Sequence, residues 1–167
     1  MKTIKITKAD LDENNYYKED GIAWTGPDFD GSIEIEGGLG CVRFKKGIYV
    51  TGSILVKAGS GINAGEGIKA GWGIKAGEGI DAGYGIDAGW GIEAGDGIVC
   101  NLGLSFSYKL FAGTSVHTNS ATKTVICGKL KKGTIAYGDL KETGMPGDIS
   151  EDNIIELSGK KYQEIIK

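Results

Sequence analysis

Histidine is almost missing from this chain, with His117 the only one, and cysteine occurs three times, as Cys41, Cys100 and Cys127, with no CxxC spacing. An odd, scattered set of thiols argues against a disulfide framework or a zinc site. No Ser-His-Asp pattern, phosphate-binding glycine loop or metal-ligand spacing is present, so no cofactor is expected. No apolar run approaches the roughly 18 residues that span a bilayer. The first ten residues hold no apolar signal core, and the expected location is the cytoplasm, away from membranes. The formal net charge is only -3. Without a basic patch there is no electrostatic footprint for nucleic acid, and the acidic density is too low to mimic DNA.

What the chain has instead is glycine, 30 residues of 167, in a fixed pattern. From 61 to 96 the unit Gly-Ile-x-Ala-Gly-x recurs six times without interruption, as in Gly85-Ile86-Asp87-Ala88-Gly89-Trp90. A fixed internal period means stacked units, each needing a neighbour to bury its apolar side. Counting by six extends the Ile position back through Val56 and Val50 and on through Ile98, Leu104 and Leu110 to Val116, every one a branched aliphatic. A second small column runs from Ala58 to Ala94 and then thickens to Cys100 and Phe106 before Ala112. Ile-x-Ala alternates with period two, two inward side chains around one outward, which is a very short strand. Glycine on either side supplies corners that a Cβ would obstruct.

The number of hexads per turn follows from the outward residues, since side chains on successive coils sit about 4.8 Å apart and must tolerate one another. Three hexads per turn stack Lys69 on Asp87, Lys75 on Glu93, and Trp72 on Trp90 and then Tyr108. Two would set Asp81 on Glu93, and four would set Trp72 against Asp96. The expected fold is therefore all-β, a single-stranded, three-sided β-solenoid with about 18 residues per turn. One pair fits badly: Glu78 falls over Asp96 at a corner, either solvated or a speculative cation site. Collagen and nonapeptide calcium repeats need other periods.

The repeat resembles the hexapeptide-repeat triangular β-helices, with the sizes exchanged: here the large aliphatic precedes the small residue by two. Gly52-Ser53-Ile54-Leu55-Val56-Lys57-Ala58-Gly59 also looks like the repeats of bactofilins. The second likeness implies a self-assembling structural protein. The first implies an acyltransferase alternative in which His117, beside Thr118 and Ser120 at the last coil edge, is the general base.

The hexad coil is expected over 44–116, with capping segments at 1–43 and 117–167 closing the ends of one folded unit. Thr7 heads a short capped helix near Ala9-Asp10-Leu11. Thr124-Val125-Ile126-Cys127 with Thr134-Ile135-Ala136-Tyr137, and Ile154-Ile155-Glu156-Leu157 with Tyr162-Gln163-Glu164-Ile165-Ile166, are expected to form two hairpins. Function then rests on surface. Trp72, Trp90 and Tyr108 form an aromatic column on one corner, with Tyr84 on a neighbouring corner, suited to anchoring a protein partner or a second copy in a dimer. The primary expectation is a non-catalytic protein-binding solenoid. Its compact, low-complexity look resembles accessory proteins of phages and mobile elements, including inhibitors of host defence.

Overall fold

The computed structural model describes residues 1–19, 21–22, 27–114 and 123–145, together with the backbone of two strands near the C-terminus, Ile154–Leu157 and Lys160–Gln163. Its architecture is all-β, with parallel strands in curled sheets of the solenoid type and no α-helix among the described residues. None of the described helical segments is long and apolar enough to cross a membrane.

Each perfect hexad forms one three-residue strand: β7 (Ile68–Ala70), β8 (Ile74–Ala76), β9 (Ile80–Ala82), β10 (Ile86–Ala88) and β11 (Ile92–Ala94). The Ile and Ala of each are buried and the residue between them faces outward. Successive strands do not pair with each other. β7 pairs in parallel with β10 and β8 with β11, aligning Ile68 with Ile86 and Ile74 with Ile92. β9 pairs with β12 (Ile98–Cys100), aligning Ile80 with Ile98. Every such partner is eighteen positions away, so like residues form unbroken inward columns. Ladders of one aliphatic bury roughly 1.5–3 kcal/mol of side-chain transfer energy per isoleucine, and that term, summed along the column, holds the sheets together.

Below the repeat the register differs from counting by six. β4 (Ile48–Val50) aligns Ile48 with Ile68 and Val50 with Ala70; β5 (Ile54–Val56) aligns Ile54 with Ile74 and Val56 with Ala76. Val50 and Val56 thus belong to the small column, and Ile48 and Ile54 take the large one. The cause is a two-residue insertion before β6 (Ser60–Ala64), which leaves Ala58 exposed instead of inward. Gly59, at φ 76, makes the extra corner and stacks on Gly38, at φ 75. Ser60 is fully buried there and satisfied on both sides: its hydroxyl donates to the Glu36 carbonyl at 2.8 Å and accepts from the Leu39 N–H at 2.9 Å.

The stack also runs past 44–116 in both directions. β1 (Lys2–Ile6) pairs in parallel with β2 (Gly31–Ile35), which pairs with β5, and β3 (Gly40–Phe44) lies under β6. The short helix expected near Ala9 is only a 3-10 turn, Lys8–Asp10. Thr7 donates from both its N–H and its Oγ1 to the Asp10 carboxylate, each at 2.8 Å, and these bonds lower the Asp10 pKa. A longer helix does not form because Leu11 turns extended, bridges Tyr17 and is drawn into the core, while Tyr17 packs on Phe44 at 5.4 Å.

At the other end β13 (Gly103–Ala112) is a ten-residue strand that covers two faces, setting Leu104 on Ile86 and Leu110 on Ile92. The place over Ile98 that counting by six gives to Val116 is filled by Val125 of β14 (Thr124–Cys127); Val116 itself lies outside the described residues. The hairpin expected from 124 to 137 is absent. β14 pairs in parallel with β12 and with β16 (Asp139–Glu142), and β15 (Lys129–Tyr137) pairs in parallel with β13. The winding continues because Val125 and Cys127 still have an apolar column to complete. The final pair, β17 (Ile154–Leu157) and β18 (Lys160–Gln163), is an antiparallel hairpin as expected.

Candidate functional site: an aromatic corner and its adjoining face

The sixth residue of each hexad projects at a corner, and one corner column reads Trp72, Trp90, Tyr108. Backbone bonds fix their heights: Trp72 N–H to Gly52 O at 3.1 Å, Trp90 N–H to Trp72 O at 3.2 Å, and Tyr108 N–H to Trp90 O at 3.2 Å. The indoles of Trp72 and Trp90 stack with centroids 6.1 Å apart and planes inclined by 16°, and Tyr108 meets Trp90 edge-on at 5.9 Å and 60°. Self-stacking does not hide them. Trp72 is 53%, Trp90 59% and Tyr108 66% exposed. Aromatic pairs of this geometry contribute about 0.5–1.5 kcal/mol beyond area burial, so each ring steadies its neighbour while keeping an open edge.

Tyr84 stands on a different corner, between the backbones of Glu66 and Leu102, and is also exposed. It shares no ring contact with the ladder among the described residues. Glu78 and Asp96 are coil neighbours through Asp96 N–H to Glu78 O at 3.4 Å. No cluster of three or more histidine, cysteine, aspartate or glutamate residues suited to a metal occurs among the described residues. His117 lies outside them.

Beside the ladder runs a shallow groove of about 460 Å³, floored by Gly73 and Gly91 and walled by Leu55, Lys75, Glu93 and Phe111. These wall residues are one outward column, in the order Glu34, Leu55, Lys75, Glu93, Phe111, Tyr137. Lys75 bridges Glu93 at 3.0 Å, as the period requires. Lys69 aligns with Asp87 as expected, yet its ammonium pairs with Asp28 at 2.7 Å, because a loop before β2 reaches that face. This Asp28 hydrogen bond is the main influence raising the Lys69 pKa. Leu55 and Phe111, exposed by 38% and 39%, escaped sequence reasoning. The signal that finds them is the outward position of each Ile-x-Ala strand, read with the insertion before Ser60 taken into account.

The thiols have a packing role. Cys100 and Cys127 are buried in the small column and Cys41 is exposed. Burial pushes the Cys100 thiol up to about 12, so it stays protonated at neutral pH and is unsuited to nucleophilic work. Comparison with protein families, with characterised proteins and with solved structures gives no match to this chain.

Proposed function

We propose that the chain is a three-sided coil of about 18 residues per turn whose aromatic corner and adjoining face bind a protein, without catalysis. Three consecutive strands each pair with a partner eighteen residues on, which is what a turn of three short sides requires. The observation that carries the binding role is the ladder itself. Trp72, Trp90 and Tyr108 are large, exposed and mounted on hydrogen-bonded corners, so little side-chain entropy remains to be lost when a partner covers them. A soluble fold gains nothing from leaving three such rings in water.

The test removes the ladder without touching the core. Trp72→Ala with Trp90→Ala is expected to leave the β-type circular dichroism intact and to lower stability by no more than about 1.5 kcal/mol, the scale of a lost ring stack. Against a lysate, proteins retained by the immobilised wild-type chain are expected to be lost with the double variant. Equal retention by both rejects the corner as the binding surface.

A further inference from the structure

We propose that the partner of the aromatic corner is a second copy of this chain, seated face to face and antiparallel, related by a two-fold axis that crosses the coil axis. This rests on the reading of the corner as a protein-binding surface and names the occupant. The outward column beside the ladder, Glu34, Leu55, Lys75, Glu93, Phe111, Tyr137, has a midpoint between Lys75 and Glu93. Reversing the column about that midpoint puts Lys75 of one copy on Glu93 of the other and Leu55 on Phe111. Opposite charges meet at the centre and the exposed apolar pair meets one step out.

The ladder obeys the same reversal. Its midpoint lies between Trp72 and Trp90, on the same two coils, since Trp72 directly precedes the strand of Lys75 and Trp90 that of Glu93. A two-fold lying in the interface and perpendicular to the coil keeps each column on its own side, so Trp72 faces Trp90 of the second copy while Lys75 faces Glu93. A two-fold along the coil axis instead sets Lys75 on Lys75 and Glu93 on Glu93, which like-charge repulsion disfavours. The residues that decide the orientation are free to do so: Lys75 and Glu93 are 57% and 42% exposed in their side chains.

Size sets the strength. Six strands spaced about 4.8 Å apart and about 16 Å wide present roughly 400 Å² of face per copy in projection, the small end of specific interfaces. The dimer is therefore expected to form in the micromolar range.

Sedimentation of the intact chain across that range is expected to show twice the 17.5 kDa monomer mass. Lys75→Glu places four negative charges at the centre of the interface and Glu93→Lys places four positive ones. Each variant alone is expected to dimerise at least about tenfold more weakly than wild type. An equimolar mixture of the two is expected to restore a dimer, because each copy then meets its opposite, and a variant that merely misfolds gives no such rescue. Three results each overturn the proposal: a wild-type chain that stays monomeric, single variants that dimerise like wild type, or a mixture that gains no mass. If the chain is monomeric yet still captures another protein through its tryptophans, this inference alone falls. If capture ignores the tryptophans, the surface reading beneath it falls as well.

Discussion

Gly89→Ala is expected to lower stability by about 3 kcal/mol or more, while Gly73→Ala changes it by less than about 1 kcal/mol, although both remove a glycine from the same repeat. The two glycines of the hexad have different tasks. A Cβ on Gly89 would sit 1.9 Å from the carbonyl oxygen of Gly71 on the coil below, and one on Gly95 would sit 1.9 Å from that of Gly77. The obstructing atom is backbone, and it cannot retreat cheaply, because Gly89 N–H is bonded to the next carbonyl of that same coil, Ala70 O, at 2.9 Å. Adding the methyl pries two coils apart. A Cβ on Gly73 would meet only the Gly91 carbonyl at 3.3 Å, a contact that a small shift relieves. Neither position has positive φ, so the difference is one of space and not of backbone preference. Urea unfolding midpoints of the two variants check it; equal losses would show that the corner after alanine is no tighter than the corner before isoleucine.

Phe106→Ala is expected to cost about 3–5 kcal/mol, as for other buried aromatic truncations. Phe106 is 1% exposed and continues the small column directly above Ala88, where the coil widens to take a ring. The room comes from β15. Register shifts between β13 and β15 leave Gly133 opposite the ring at φ 115, and a Cβ there would lie 2.3 Å from a ring carbon. Truncation leaves a cavity under that bulge that the hydrogen-bonded strands on either side cannot close. Gly133→Ala is expected to be harmful as well, through steric overlap with the same ring and a strained φ. Chemical denaturation followed by circular dichroism measures both.

Much of the fold was legible because the hexad repeats the same chemistry at one spacing. Ile68, Ile74 and Ile80 announce a column, and the sign of Lys75 over Glu93 selects the period. The insertion before Ser60 was not legible, since Val50 and Val56 are aliphatic enough to suit either inward column and counting by six raises no conflict. Nor was the parallel path of β14, because alternation in Thr124-Val125-Ile126-Cys127 is the same for a hairpin and for one more coil; only the vacancy over Ile98 decides it. Of the candidate site, the ladder of Trp72, Trp90 and Tyr108 followed from the period alone. Its neighbours Leu55 and Phe111 depended on the insertion, and the Asp28 partner of Lys69 depended on a loop whose path no local pattern encodes.

The vertical adjacency of residues eighteen apart is the claim on which the corner, the face and the dimer all stand, and proximity labelling tests it most directly. Pyrene attached to cysteines at positions 69 and 87, in a chain with Cys41→Ser, is expected to show strong excimer emission, because those backbones are in register on neighbouring strands. Label pairs at 81 and 93, or at 66 and 90, are expected to show none. Excimer emission from either of those pairs, or its absence from 69 and 87, would contradict the coil.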